Sequence, residues 1–181
     1  DTRRARVAEP ALEEGAHMVN DVSALGDVGM LDVIKQSNCY ICLMHMKGIP
    51  ENMQNNPLYE DVIIEVKEML NEKVKLLVDE GINAERIIVD PGIGFGKSLE
   101  HNLSLLKSGR NIVPNDKIGL MWGVSRKSMF SELLGRAEPN DRLAGTLGIA
   151  SISRIKGVDI IRVHDVAEHA DMFRAISALE D

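Results

Sequence analysis

Short apolar runs rich in β-branched residues alternate along the chain with segments of helical periodicity. The runs that predict strands are residues 17–22, 39–46, 86–90, 117–124 and 159–164. The clearest helical patterns span residues 61–80 and 167–179, where apolar side chains recur every three or four positions. Gly15, Gly81 and Gly157 each stand between a helical segment and the next strand, a common place for a helix to end. This alternation predicts an α/β fold in which helices cover a parallel sheet.

The first residues of the chain fall directly into a helical pattern. Val7, Ala8, Ala11 and Leu12 share one face of that helix, and no strand pattern precedes them. A repeating strand-helix unit would begin with a strand. We therefore expect the 181 residues to come from a longer polypeptide.

Polar side chains follow each predicted strand at its carboxyl end. They are Asn20 and Asp21, His45, Asp90, Ser125 to Lys127, and Arg162 to Asp165. The carboxyl ends of parallel strands meet at one rim of the sheet, where barrel and open α/β enzymes place their reactive groups. The sequence therefore predicts a polar site at this rim. Each polar pair by itself would also suit a turn or a helix cap.

A glycine-rich segment, residues 90–98, follows the third predicted strand and reads Asp-Pro-Gly-Ile-Gly-Phe-Gly-Lys-Ser. Its spacing excludes a Walker A loop and a dinucleotide-binding fingerprint. The alternating glycines would allow backbone N–H groups to approach a ligand closely. The Asp90 carboxylate could accept two N–H bonds from the guanidine-like edge of a heterocycle, or it could simply cap the turn that follows.

Three cationic side chains follow the last two predicted strands. Arg162 and His164 are two residues apart, so they point to the same face of a strand, and Lys127 belongs to the same rim. Together they predict a cradle for phosphate or diphosphate. Taken singly, the arginine would suit a surface ion pair and the histidine an interior hydrogen bond.

Composition and charge narrow the choice of partners. The chain has 28 acidic and 21 basic residues, a formal net charge of -7, so no global basic field attracts nucleic acid or an anionic membrane. Aromatic residues make up 3% of the chain and leave few side chains for base stacking. No apolar run approaches the roughly 18 residues of a membrane-spanning helix. We expect a cytoplasmic protein with small-molecule ligands.

The sequence does not support a redox pair of thiols, a transition-metal site or a nucleophilic serine. Cys39 and Cys42 have the spacing of a redox pair, but residues three apart on a strand face opposite sides, which favours two buried structural thiols. His45 is a lone histidine without a partner at zinc-site spacing, so we expect no transition-metal site. Ser125 and Ser128 do not stand in a Gly-x-Ser-x-Gly nucleophile elbow.

Taken together, the rim motifs resemble those of the dihydropteroate synthase family. They are residues 90–97, Ser125-Arg126-Lys127-Ser128, Met44-His45-Met46-Lys47-Gly48, Val19-Asn20-Asp21-Val22 and Arg162-Val163-His164-Asp165-Val166. The resemblance runs from Asp1 to the end of the chain. It implies a partial (β/α)8 TIM barrel, a single pterin-binding domain over residues 1–181 that holds strands four to eight with their helices and lacks most of strands one to three.

The resemblance also implies an activity. Enzymes of this family are transferases that join 4-aminobenzoate to 6-hydroxymethyl-7,8-dihydropterin diphosphate and release pyrophosphate, in folate biosynthesis. The family is cytoplasmic, is a target of sulfonamides and uses Mg2+. The magnesium ligand lies on a loop with no counterpart here, so no metal ligand is expected in this segment, and a homodimer is expected of the complete enzyme.

Site roles follow from the resemblance, position by position. Asp1, Asn20 and Asp90 would bind the polar edge of the pterin, and the side chains beside the pterin ring would be Val22, Met44 and Phe95. Lys127 would bond the pterin and, with Ser128, place aminobenzoate, while Arg162 and His164 would hold the diphosphate. Asp1, Asp90 and Lys127 are the expected catalytic residues, since two carboxylates could stabilise positive charge on the pterin methylene as pyrophosphate leaves.

Other interpretations stay open at this point. A noncatalytic pterin-binding fragment would keep the pterin residues alone, and a pterin-dependent methyltransferase domain would need Asn20 and Asp90 but not the cations. A Schiff-base aldolase would use Lys97 or Lys127. Five strands cannot close an eight-stranded barrel, so we also expect open sheet edges and little synthase activity from this segment alone. Trp122 is bulkier than the aliphatic residue expected there, which could alter packing near the site.

Overall fold

The computed structural model describes residues 1–48, 53 and 57–179. Within them, five strands form one parallel sheet: β1 Met18–Asp21, β2 Tyr40–Met44, β3 Ile87–Asp90, β4 Gly119–Trp122 and β5 Ile160–Ile161. The α-helices are α1 Ala5–Glu13, α2 Met30–Gln36, α3 Val62–Asp79, α4 Leu99–Ser108, α5 Met129–Leu134, α6 Leu143–Ser151 and α7 Val166–Ser177. Short 3-10 helices lie at Ala84–Arg86, Gly109–Ile112 and Pro139–Arg142.

The strands pair in the order in which they occur along the chain. Each strand is parallel to its neighbours, and at least one helix connects it to the next. This order confirms the predicted parallel α/β arrangement. A sheet whose strands follow chain order, with helices on its outer side, is the arrangement of a β/α barrel.

The sheet curls so that its two sides approach each other. The backbone N–H of Thr2 donates to the carbonyl oxygen of Asn20, which places the start of the chain beside β1. Asp1 then forms an ion pair with Arg162, which follows β5 at the opposite side of the sheet. The architecture is therefore a curled half-barrel.

Alternation along the strands separates an outer layer from the barrel interior. Leu43, Val89 and Trp122 point outward and belong to the large apolar core beneath the helices. Cys42, Ile88 and Met121 point inward and form a second, smaller cluster, against which Met18 and Ile160 pack. Because this alternation has a period of two, inward positions continue to Asn20, Met44 and Asp90 at the carboxyl ends of their strands.

Helix α3 shows how the outer layer is built. The Asp61 side chain accepts hydrogen bonds from the N–H groups of Ile63 and Ile64, and so caps the first turn. The buried side of the helix presents an apolar stripe of Val62, Val66, Leu70, Val74 and Leu77. Gly81, with a φ of +88°, follows the carboxyl cap. The helix thus begins and ends within one residue of the predicted span 61–80.

The last strand is shorter than predicted. The pattern at residues 159–164 predicts six residues, whereas β5 consists of Ile160 and Ile161. The backbone N–H of Arg162 still donates to the carbonyl oxygen of Trp122. The N–H of His164, however, donates to the Ser125 side chain at 3.1 Å, so the chain has left the ladder by that residue.

The two cysteines lie in different layers. Both are free and buried; Cys42 belongs to the interior cluster and Cys39 to the outer core. This placement confirms two structural thiols rather than a redox pair. Trp122 is fully buried in the outer core, so its bulk packs against the helical layer and not into the barrel interior. Among the described residues, no helix has both the length and the apolar character needed to cross a membrane.

Candidate active site at the carboxyl rim of the half-barrel

Asp90 is the buried carboxylate of the rim, with 4% of its surface exposed. One oxygen accepts the N–H of Gly92 at 2.7 Å, so the turn-capping alternative is part of its role. Burial raises the pKa of Asp90, while the Gly92 hydrogen bond and the charges of Lys127, Lys97 and Arg162 act in the opposite direction. The nearby cations therefore favour the ionised carboxylate, and burial opposes it.

Asn20 supplies a second acceptor on the inward side of the sheet. Its Oδ1 is buried and has no hydrogen-bond partner among the described residues. Buried polar atoms are nearly always paired in folded proteins, so an open acceptor of this kind indicates a place for a ligand donor. Met44, with 3% of its surface exposed, ends β2 between the strands of Asn20 and Asp90.

Lys127 lies over the ring of Phe95, with its Nζ 4.0 Å from the ring centroid. Burial lowers the pKa of Lys127 to about 8; Asp90 raises it and Arg162 lowers it further. A hypothetical Cβ on Gly94, whose φ is +82°, would lie 3.2 Å from the Lys127 Cδ. The glycine therefore leaves room for the lysine to cross the loop and reach the aromatic face.

Residues 90–97 form a loop that packs tightly on the end of β2. Gly92 and Gly96 have positive φ, and a Cβ on either would overlap the backbone carbonyl oxygen of His45 or Lys47. The N–H of Gly92 bonds Asp90, and the N–H of Gly94 bonds the Asn102 side chain at 2.8 Å. These N–H groups are used within the protein. The glycines therefore permit close packing of the loop, where the sequence suggested that their N–H groups would reach a ligand.

Arg162 and His164 have different partners at the far end of the rim. The Arg162 guanidinium pairs with Asp1, and about half of its side chain is exposed. His164 lies with its Nδ1 2.9 Å from the Ser125 Oγ, and its backbone N–H donates to the same oxygen. The structure thus places Arg162 beside the predicted carboxylate Asp1, and it holds His164 against the end of β4.

A network around Arg126 supports the loop that carries Lys127. Arg126 adopts a φ of +55°, which non-glycine residues rarely do. The Arg126 guanidinium binds both carboxylate oxygens of Asp165, and the backbone N–H of Arg126 donates to the Thr146 hydroxyl at 3.1 Å. The buried Arg142 donates to the Arg126 carbonyl oxygen at 2.9 Å. These contacts connect the ends of β4 and β5, which bear the predicted cations.

An open cleft of about 740 Å³ lies on the inner side of β5 and α7. Asp1, Asn20 and Arg162 line it together with apolar side chains such as Met121 and Phe173, but Asp90 and Lys127 do not. This cleft is therefore bordered by only part of the predicted site residues. Val22 is half-buried beside β1, and Ser128 is exposed at the start of α5.

Sequence reasoning missed two supporting contacts. Ser125 orients His164, and Lys97 forms a buried contact with His45. Lys97 ends a motif that was visible in the sequence, yet its partner lies 52 residues away. Asp21 is fully buried and accepts bonds from the N–H groups of Ser23 and Leu25, so it builds the loop after β1 rather than facing the rim.

Comparison with known proteins identifies relatives along almost the whole chain. Residues 1–164 match the family described as pterin binding enzyme. The dihydropteroate synthase of Neisseria meningitidis serogroup C is 41% identical over 181 residues, which cover 99% of this chain and 64% of that protein. The Escherichia coli (strain K12) dihydropteroate synthase is 39% identical over 178 residues, which cover 98% and 62%. The chain thus spans a little under two thirds of the length of these curated relatives.

Solved structures share the half-barrel. Dihydropteroate synthase from Thermus thermophilus, in complex with 6HMPPP, superposes with a TM-score of 0.92 at 37% identity and covers 100% of this chain and 71% of its own. The Xanthomonas albilineans enzyme, in complex with 7,8-dihydropteroate, gives a TM-score of 0.90 at 34% identity, covering 99% of this chain and 65% of its own. Together with the match over residues 1–164, these similarities show that the chain belongs to the pterin binding enzyme family.

Proposed function

We propose that this chain forms the pterin and diphosphate pockets of a dihydropteroate synthase. The observation that carries the proposal is the shared rim, where the buried acceptors Asp90 and Asn20 lie on the same inner side of the sheet as Lys127 and Arg162. The relatives named above are dihydropteroate synthases, and one of their structures holds 7,8-dihydropteroate. A pterin-dependent methyltransferase would have no use for the cations that surround Asp90.

The proposed reaction separates charge, and the rim has groups for both ends. As the carbon–oxygen bond to the diphosphate breaks, positive charge develops on the pterin methylene, where Asp90 and Asp1 would stabilise it. Arg162 and His164 would stabilise the departing pyrophosphate. The amine of 4-aminobenzoate forms the new carbon–nitrogen bond and releases a proton. Because this amine is already a nucleophile, positioning by Lys127 and Ser128 supplies the remaining contribution without a covalent enzyme intermediate.

The pterin ring itself would lie among apolar and polar groups of the interior. Val22, Met44 and Phe95 would contact its faces and edges, while Asn20 and Asp90 would accept its N–H donors. This assignment rests on the open Asn20 acceptor and on the placement of the Phe95 ring beside Lys127.

Magnesium is the cofactor that the family resemblance implies. Within the described residues, no three His, Cys, Asp or Glu side chains gather into a group that could hold a metal ion. No step of the proposed reaction passes through the metal. When bound, magnesium would neutralise charge on the substrate diphosphate.

Finer properties of the family extend the proposal. We place the strands β1 to β5 as strands four to eight of a (β/α)8 barrel, within one domain over residues 1–181. A cytoplasmic homodimeric enzyme that sulfonamides inhibit is the form in which such a chain would act.

Calorimetric titration with 6-hydroxymethyl-7,8-dihydropterin diphosphate tests the proposal. Asp90→Ala should weaken binding, because each pterin donor left unsatisfied costs about 1 to 3 kcal/mol. Arg162→Ala should weaken binding of the diphosphate ester more than binding of the bare 6-hydroxymethylpterin. Asp79→Ala, which removes an exposed carboxylate from α3, is the matched control and should bind as the wild type does. Unchanged affinity in Asp90→Ala would refute the assignment.

A further inference from the structure

Lys97 is a buried cation for which the proposed reaction has no role. It follows the glycine loop, and only 3% of its surface is exposed. Its Nζ donates to the backbone carbonyl oxygen of Phe95 at 3.0 Å and lies 2.9 Å from the His45 Nδ1. A buried ammonium is costly unless it is paired and hydrogen-bonded, so a lysine kept at this position calls for an explanation.

His45 serves as the fixed acceptor for this lysine. Burial, and after it the charge of Lys97, lowers the pKa of His45 to about 3, so the imidazole is neutral near pH 7. Its Nδ1 lone pair can then accept a hydrogen from Lys97. The backbone N–H of His45 in turn donates to the carbonyl oxygen of Asp90 at 3.0 Å. Lys97 therefore connects the glycine loop to the adjoining ends of β2 and β3.

The contact with Phe95 extends this connection to the rim. The Phe95 carbonyl oxygen is held by Lys97, while the Phe95 ring faces the Lys127 ammonium. Displacement of the loop at Phe95 would move the surface on which Lys127 rests. A residue that touches neither substrate would thus govern the position of two residues that do.

The charges around Lys97 are mixed. Burial lowers the pKa of Lys97 to about 7; Asp90 raises it, and Lys127 and Lys47 lower it. The neutral His45 contributes a lone pair rather than a charge. Of these groups, Asp90 is the one whose charge attracts the Lys97 ammonium. Lys97 is in turn among the cations that lower the pKa of Asp90. Lys97 and Asp90 therefore stabilise each other's charged form.

We propose that Lys97 is a positioning residue of the rim: held between the His45 Nδ1 and the Phe95 carbonyl oxygen, its ammonium fixes Phe95 in place and supplies a buried positive charge that acts on Asp90. Its consequence for substrate binding rests on the proposed pterin site. The two structural effects, on Phe95 and on Asp90, belong to the protein without ligand. They can therefore be measured separately from any pterin binding.

The first measurement uses the ligand-free chain. Carboxyl 13C resonances are followed as a function of pH, and Asp90 is assigned by the signal that disappears in Asp90→Asn. In Lys97→Met the midpoint of the Asp90 titration should move to higher pH, because a neighbouring positive charge is gone. In Lys97→Arg that midpoint should stay close to the wild-type value. Lys47→Met is the matched control, since it removes a rim cation that binds the Leu58 carbonyl oxygen and Glu65 instead of Phe95. It should leave the Asp90 midpoint close to the wild-type value.

The second measurement is calorimetric binding of 6-hydroxymethyl-7,8-dihydropterin diphosphate at pH 6 and pH 8. Lys97→Met should lose more affinity at pH 6 than at pH 8, because a lower pH favours protonation of an Asp90 that has lost a neighbouring cation. A merely structural lysine would give a loss that is equal at both pH values. If Lys97→Met fails to fold, Lys97→Gln provides the same neutral test.

The two arms separate the possible failures. An Asp90 midpoint that is identical in wild type and Lys97→Met would overturn the role of Lys97, whatever the ligand does. A wild-type chain that binds no pterin diphosphate at either pH would overturn the proposed function, while the carboxyl titration would still decide the role of Lys97.

Discussion

At the scale of single residues, burial sets the chemistry of the rim. Asp90, Lys97 and Lys127 each lie where desolvation opposes their charge; Asp90 supports the charge of both lysines, and Lys127 opposes the charge of Lys97. Such mutual perturbation of pKa values is typical of functional sites. It follows that the protonation state of the empty rim depends on the whole group, and that a change to one member alters the others.

His45 should make the protein sensitive to acid. The pKa of His45 is about 3 in the folded chain, whereas its ordinary value of 6.5 applies in the unfolded chain. Between these two pH values, the unfolded chain therefore binds a proton that the folded chain does not. The free energy of unfolding should therefore fall as the pH drops from 6.5 towards 3, by an amount on the order of 4 to 5 kcal/mol over the full range. Urea denaturation at pH 7, 5 and 4 measures it.

His45→Gln is the informative comparison for this prediction. Glutamine keeps an acceptor for Lys97 but cannot titrate, so the variant should lose less stability than the wild type over the same pH interval. Equal losses in the two proteins would show that His45 does not control the acid sensitivity.

At the scale of elements, the glycine loop matters through its packing on the end of β2. Its backbone N–H groups at Gly92 and Gly94 are bonded within the protein, and its small residues let the chain approach the carbonyl oxygens of residues 45 and 47. The loop therefore fixes where Asp90 and Phe95 stand relative to each other. The loop thereby joins the end of β3 to the end of β2.

Gly92→Ala should test this packing. The substitution imposes left-handed strain at a φ of +69° and also overlaps the His45 carbonyl oxygen. Gly81→Ala is the matched control, because it has a φ of +88° with nothing within 4 Å of the new Cβ. The control should lose about 1 to 2 kcal/mol, the cost of the left-handed conformation alone. Chemical denaturation should show a clearly larger loss for Gly92→Ala, and equal losses would contradict the close-packing role.

Particular residues show what could be read from the sequence. The period of two along each strand places Asn20, Met44 and Asp90 on one side, and strand ends meet at one rim, so their placement on a shared inner side could be predicted. The extent of β5 could not, because its shortening depends on a bond from His164 to Ser125, 39 residues away. The pairing of Lys97 with His45 could not be predicted for the same reason, because the two residues are 52 positions apart and no local pattern connects them.

At the scale of the whole molecule, one large apolar core lies between the curled sheet and its helices. It includes Ala8 of α1 and Phe130 of α5, so elements from both halves of the chain share it. Within the described residues, β1 and β5 are the two edge strands of the sheet: β1 pairs with β2 alone and β5 with β4 alone. The shared core favours a single folding unit, in line with the single domain proposed above.

A single domain should unfold in one cooperative step. Trp122 is the only tryptophan of the chain and is fully buried in the core, so its fluorescence reports the packing of the sheet. Circular dichroism reports the helices. The two melting curves should coincide, as a two-state transition requires. Separate midpoints would show that the helices and the sheet belong to different folding units.

The rim should bind a pterin at one end and its diphosphate at the other. A crystal structure of the chain soaked with 6-hydroxymethyl-7,8-dihydropterin diphosphate would show both contacts at once. The pterin N–H groups should lie against Asp90 and Asn20, and the diphosphate should lie against Arg162 and His164. An ordered ligand elsewhere, such as the apolar part of the cleft beside Phe173, with the rim empty, would contradict it.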